Sequence, residues 1–357
     1  MSLKKWCENT PNVTHGKLDG ELDYDVIRTP KTILRREEIA YMYNDVMGVV
    51  ECIREYRKEF SISNMPLTST GFVRHDFRVA MNNESCRKWF VDSALTLEQY
   101  DYCKNAFMGG TTHASRFMTF LIHQNVNSYD FKSSYPARML LNEFPYGKFV
   151  EQVRPDKKFF EFLEEKNYLY VGKFYVENFK IKEHHPMPYL SISKCEGFGK
   201  VKIDNGKILE GDSVLVYLTN VDVEILKSCY DLEEDSLKCV KCYYCRSKRL
   251  PIEFRKVLME YYRKKCELPP GSYEYMKSKN KLNSSYGMMV TDIFNDEIIY
   301  KNNQFQKKEV NLEKKLKKFY KSRNNFLPYQ CGIFVTAYAR KELYTLINYA
   351  MEHLIYV

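Results

Sequence analysis

The chain predicts a mixed α/β protein, α+β in detail, and three stretches carry that prediction. Residues 36–60 repeat apolar side chains at helical steps. The run YLYVGKFYVENFKIK (168–182) is rich in the aromatic and β-branched residues that suit a pleated sheet. Two further helical blocks, IEFRKVLMEYYRKKCEL (252–268) and SYEYMKSKNKLNSSYG (272–287), are separated by the breaker PPG.

Taken in order, residues 1–35 are polar and turn-rich. In the helix that follows, Ile39, Met42, Val46, Val49 and Ile53 form one apolar stripe. Residues 61–115 mix loops with short helices and end in FMGGTTHASRF. Residues 116–230 read as strands and connections, with Val126 to Phe131 as one strand and LTNVDVEILKSCYDL (218–232) turning helical. Phe254, Val257, Leu258 and Tyr261 share a face of the first late helix, and Gly287 is a natural stop for the second. Between 301 and 323 nine Lys/Arg stand against two Glu, a net of +7, over a stripe of Leu312, Leu316 and Phe319. That stretch reads as a solvated basic helix or as an arm that tracks phosphates. The last block, 332–357, reads as a helix followed by the start of an apolar strand.

With 357 residues, 44% of them hydrophobic, the chain has ample material for a core spread over two or three domains. A net charge of +9 suits a polyanionic partner, nucleic acid before anionic lipid. No apolar run of the ~18 residues that a membrane helix needs is present, and MSLKKWCENTP has no signal-like apolar region. Eleven cysteines, an odd number in a long chain, fit free thiols in a reducing compartment. Cys239, Cys242 and Cys245, with Cys229 upstream, offer four thiols for Zn²⁺. Such tight spacing strains a tetrahedron, so buried thiols on a strand are the favoured reading.

Two stretches carry chemistry. In NSYDFKSSYP (127–136) Asp130 sits where a strand yields to a turn and a helix start, with Pro136 in the helix's first turn. The N–H groups around Ser133, Ser134 and Tyr135 make a place for an anion, beside a carboxylate able to hold Mg²⁺. A simple strand-end turn would also look like this. In KNKLNSSYG (279–287) Lys279, Asn283 and Tyr286 share one helix face, flanked by Lys277 and Lys281. The face offers a cation, an amide and a ring for stacking, although a merely polar helix face would too.

Together, DxxSxYP and, roughly 150 residues on, KxxxNSxYG resemble the A and B motifs of family B DNA polymerases, above all the protein-primed branch of small phages and linear plasmids. YMYND (41–45) resembles the third exonuclease motif, FMGG (107–110) the YxGG loop, FPYG (144–147) an LPxG turn and TAYAR (336–340) the TxxAR motif. This resemblance implies a palm and fingers joined to the remnant of a 3′–5′ exonuclease domain, and a two-metal deoxynucleotidyl transfer with Mg²⁺ or Mn²⁺. Asp130 and the Phe131 carbonyl would hold metal, and Ser133 and Ser134 would lie near the triphosphate. Tyr135 would exclude a 2′-hydroxyl, and Lys279 would grip phosphates. Asn283, Tyr286 and Gly287 would pack on the nascent pair, with Ser284 toward the template. Phe107, Gly109 and Gly110 would contact template backbone, and Thr336 and Arg340 the primer. Tyr41 and Asp45 would belong to the exonuclease site.

By the same resemblance the domains are an exonuclease part (1–57), a connection (58–115), a palm (116–221 and 323–357), a first insertion for a terminal protein (222–252), fingers (253–292) and a second insertion (293–322). Template-primer DNA, dNTPs and a terminal protein are the implied partners, in the cytoplasm of a phage-infected bacterial cell or of a linear plasmid's host. Two departures from the pattern are small: Ser134 replaces Leu and Phe107 replaces Tyr. Larger ones lie at the ends, since the YxDTDS motif and thumb would follow HLIYV (353–357), and two exonuclease motifs would precede Met1. The expectation is an internal fragment that is inactive alone, with a split-polymerase subunit or a non-catalytic DNA-binding remnant as the alternatives.

Overall fold

The computed structural model describes residues 2–18, 23, 25–66, 68–294, 297–301, 303–308 and 310–357. Glu309 of the expected basic stretch lies outside the described residues. Helix α1 (Leu3–Glu8) packs on α2 (Arg36–Tyr56), which has the expected position. Its apolar stripe does not face the partner, however: Ile39, Met42 and Val46 are all more than half exposed. Instead Gly48 and Cys52 are the buried residues. A Cβ on Gly48 would lie 2.6 Å from the His15 carbonyl oxygen and 2.8 Å from Cys7 Sγ, so only glycine lets the N-terminal segment lie this close.

Helices α3 (Ser69–Ala80), α4 (Glu84–Asp92) and α5 (Leu97–Ala106) follow, each opened by an N-cap side chain: Thr68, Asn83 and Thr96. After α5 the chain runs irregularly to α6 (Ser134–Leu141). The expected strand at Val126 to Phe131 is absent. No neighbour pairs with it in any described ladder, and a lone strand has nowhere to place its backbone hydrogen bonds. Phe120, Leu121, Ile122, Val126 and Tyr129 along this segment are all exposed.

One antiparallel sheet dominates the middle of the chain. It contains β1 (Phe144–Val153), β2 (Leu169–Ile181), β3 (Cys195–Phe198), β4 (Val201–Asp204), β5 (Lys207–Thr219), the short β6 (Tyr230–Asp231) and β7 (Leu237–Lys248). Its path is β1-β7-β2-β5-β3, with β4 beside β5 and β6 beside β2. Helices α7 (Lys157–Glu165) and α8 (Asn220–Cys229) connect its strands. The expected boundary at 221/222 therefore divides one sheet, because β5 and β7 both pair with β2. Within 222–252, β7 is hydrogen-bonded to both β1 and β2.

A bulge explains the cysteine run. Lys173 pairs with Lys241 but Phe174 with Cys239, so Val240 is an extra residue. The slip turns Cys239 and Cys242 toward the same side, into the core with Phe174 and Leu163, whereas Cys245 faces the opposite core. The Cys242 hydrogen bond and burial push the Cys239 thiol far up. Cys239, Cys242 and Cys245 are thus buried thiols on a strand, and among the described residues no group of three or more ligating side chains could hold a metal ion.

Helices α9 (Ile252–Glu267) and α10 (Tyr273–Gly287) form a hairpin about Gly271, whose φ of +86° suits glycine. Phe254, Leu258 and Tyr261 are buried as the stripe predicts. The basic stretch becomes a two-stranded hairpin, β8 (Glu297–Lys301) with β9 (Gln304–Lys308), followed by α11 (Leu312–Lys321). Leu316 is buried there but Leu312 is exposed. Helix α12 (Tyr329–Ala350) joins both cores, burying Phe334 in one and Tyr344 in the other. After it the expected strand is only a single bridge, Ala114 to Tyr356. No helix among the described residues is long and apolar enough to cross a membrane.

Candidate functional site

Helix α6 starts where the sequence places it. Its N-cap, Ser133, has φ 58° and ψ 49°, the left-handed region that costs a non-glycine roughly 1 kcal/mol. The Ser133 hydroxyl does not cap the helix. It accepts a 2.9 Å hydrogen bond from Lys265 Nζ on α9, which ties the start of α6 to the helical hairpin. Pro136 is buried in the first turn, and Asp130 stands exposed before it.

The two motifs meet through their tyrosines. The rings of Tyr135 and Tyr286 lie 4.5 Å apart at 35°. Burial pushes the Tyr286 phenol up to about 12 and Tyr135 adds to that, while Thr336, within side-chain hydrogen-bond reach, and Arg340 act the other way. A Cβ at Gly110 would sit 3.2 Å from the Tyr135 phenol oxygen. Four segments distant in sequence thus converge: the glycine loop, the start of α6, the end of α10 and the middle of α12. On α10, Lys279, Asn283 and Gly287 are exposed along one face and Ser284 is half-buried. Lys281 is already committed, 3.0 Å from Asp76 Oδ2 and stacked on Tyr261.

Arg340 and Thr336 are not at the surface. Both are buried, at 3% and 1% exposure. Arg340 Nη2 lies 2.7 Å from Asp222 Oδ1, and Nε donates to the Tyr189 hydroxyl at 3.2 Å. Its Nη1 donates to the carbonyls of Met108 and, at 3.1 Å, Gly109. Every arm of the guanidinium is spent inside the protein, where it holds the glycine loop. Thr336 Oγ1 donates to the Ile333 carbonyl at 3.0 Å.

Sequence reasoning missed Asp222 and Tyr189. Asp222 is fully buried and accepts on both oxygens: Tyr189 and Arg340 on Oδ1, the Thr219 amide (2.9 Å) and hydroxyl (2.7 Å) on Oδ2. The signal was present in Thr219-x-x-Asp222, a capping box that opens α8. It marks a structural acid but does not disclose the arginine. Lys265 was likewise missed, since only the packing of α9 on α6 reveals it.

At the candidate exonuclease position, Tyr41 and Asp45 lie on α2. Lys17 sits 5.9 Å above the Tyr41 ring, and Asp45 Oδ1 is buried with no hydrogen-bond partner among the described residues. Nearby, Glu51 takes hydrogen bonds from the His15 and Thr14 amides, and those of His15 pull its carboxyl down to about 2. For metal, the start of α6 offers one exposed carboxylate, Asp130, with the Phe131 carbonyl next to it. A two-metal clamp holds its ions ~3.5–4 Å apart between several carboxylates, and the residues described here do not supply that set.

The family model for DNA polymerase type B, organellar and viral, matches residues 9–347. The chain is 27% identical over 219 residues to the DNA polymerase of Bacillus phage phi29, covering 60% of this chain and 35% of that protein. It is 26% identical over 218 residues to the DNA polymerase of Bacillus phage Nf, with the same coverage. Phi29 DNA polymerase complexed with primer-template DNA and incoming nucleotide substrates has the same fold, with TM-score 0.72, 20% identity, and 100% of this chain and 57% of that chain covered. The complex of that polymerase with single-stranded DNA gives TM-score 0.71. The chain spans about a third of the length of the curated relatives it matches. A match over nearly all of its residues makes this chain a member of the type B DNA polymerases, organellar and viral.

Proposed function

We propose that the chain is the nucleotide- and DNA-handling portion of a protein-primed DNA polymerase that acts in a phage-infected bacterial cell or a linear plasmid's host. The observation that carries this reading is the convergence of Gly110, Tyr135, Tyr286 and Thr336 from four separate segments. Stacked aromatic rings beside exposed Lys279 and Asn283 suit a base pair and a triphosphate. Tyr135, which packs against Gly110 and Tyr286, would test the sugar. A rigid phenol there leaves no room for a 2′-hydroxyl.

Mg²⁺ or Mn²⁺ would bind first at Asp130 and the Phe131 carbonyl. One carboxylate does not make a two-metal centre, so no chemical step is assigned to this chain alone. Its part is to bind and orient, with Lys279 meeting the phosphates and Ser133 and Ser134 opening a helix whose positive end favours an anion. Contacts with a terminal protein would fall on the sheet and on the β8–β9 hairpin.

The first test is primer extension by the pure chain with Mg²⁺, beside Asp130→Asn. The expected result is oligonucleotide binding without turnover above the control. Turnover above it would overturn the assignment of a partial centre, and failure to bind DNA would overturn the polymerase reading. A split-polymerase subunit is the alternative. It predicts that a second chain bearing acidic residues restores extension.

A further inference from the structure

The geometry points to Lys194, in the short helical turn before β3, and Lys207, at the start of β5, as binding residues for the phosphodiester backbone of DNA at the Phe107–Gly110 loop. This rests on the polymerase reading and extends it to residues that neither the motifs nor the family resemblance assigns.

Three cations gather under the loop. Arg340 holds the Met108 and Gly109 carbonyls from below and is neutralised by Asp222. Lys194 Nζ stands 5.9 Å from the centre of the Phe107 ring. Lys207 Nζ donates to the Tyr189 carbonyl at 3.2 Å, and the Tyr189 hydroxyl is itself bonded to Arg340. Both lysines are half-buried, and the Arg340 charge acts on each. Among the described residues neither ammonium has a carboxylate partner. The acids of the neighbouring strands are engaged elsewhere: Glu196 with Lys173, and Asp204 beside His113.

Half-buried like charges without a counter-ion are costly, and an incoming anion removes the cost. Gly109 and Gly110 are exposed above these groups, which leaves a strand's backbone free to approach. The Phe107 ring adds a stacking surface beside the cation. Ammonium groups spread over two elements with an aromatic platform fit an extended polyanion better than one compact triphosphate.

The test is fluorescence anisotropy of a labelled primer-template oligonucleotide on the full chain, titrated at several salt concentrations. The chains compared are wild type, Lys194→Gln, Lys207→Gln, the double variant and Lys194→Arg, with Lys157→Gln as a distant control. Each phosphate contact contributes about 0.9 to the slope of log K against log salt. The expected result is a slope reduced by about one unit per lysine removed, retained in Lys194→Arg and in Lys157→Gln. Unchanged slopes in well-folded variants that still bind DNA overturn the lysine assignment and leave the polymerase reading intact. Wild-type chain that does not bind DNA overturns both. Loss of dATP binding with unchanged oligonucleotide slopes assigns the lysines to a triphosphate and overturns this inference.

Discussion

At the scale of single residues, Asp222 is the acid on which the glycine loop depends. It is fully buried and accepts from four donors, so its stability comes from completeness. Removing one member of a buried, hydrogen-bonded charge pair costs about 3–5 kcal/mol, mostly by stranding the other charge. Asp222→Ala is therefore expected to lose about that much in urea unfolding. The pair Asp222→Leu with Arg340→Met should lose clearly less than the sum of the single changes. Additive losses would show that the two do not act as a unit. Lys207 gives a pH signature. Burial, helped by Arg340, draws its ammonium down from the ordinary 10.5 to about 8. The folded chain thus releases this proton before the unfolded chain does, and the group's contribution to stability rises as pH climbs from about 8 to 10.5. Urea midpoints for wild type should gain on those of Lys207→Met over that window. A constant difference between the two would show that Lys207 is not buried as a charge.

Elements were legible to the degree that their own sequence sets them. Helices α2, α8, α9, α10 and α12 and strand β2 carry a period strong enough to read directly. Failures came where the partner decides. Val126 to Phe131 has strand composition but no neighbouring strand, and the stripe on α2 has the right spacing but faces outward. At the candidate site, too, the partner decides. Motif residues Tyr135, Tyr286 and Gly110 come together from segments whose spacing does not disclose it, and burial of Arg340 could not be read from TAYAR. It depends on an aspartate more than a hundred positions away. Packing at α12 gives a test at this scale. A Cβ on Gly332 would meet Val290 Cγ1 at 2.6 Å and the Met289 carbonyl carbon at 3.0 Å, both just past the end of α10. Gly332→Ala would normally favour a helix. Here it should lower stability by about 1–3 kcal/mol as backbone is pushed apart. A variant more stable than wild type would show that the contact gives way.

For the whole molecule, the net charge of +9 and the exposed apolar segment between Phe117 and Phe131 pull in opposite directions. Charge keeps molecules apart, while Phe120, Ile122 and Tyr129 at 102%, 95% and 87% exposure invite contact. Sedimentation velocity should show self-association that strengthens with salt and falls away in Phe120→Glu with Ile122→Lys. Insensitivity to both would place the contact elsewhere. The sheet's order has a different consequence, one of timing. Strands β1 and β2 leave the ribosome early, yet the strand that separates them, β7, ends at Lys248. At roughly 5–20 residues per second, several seconds pass in which both wait with open edges. Pairing β1 directly with β2 in that interval would close the gap that β7 must enter, so synthesis of this chain runs against its own premature hairpin.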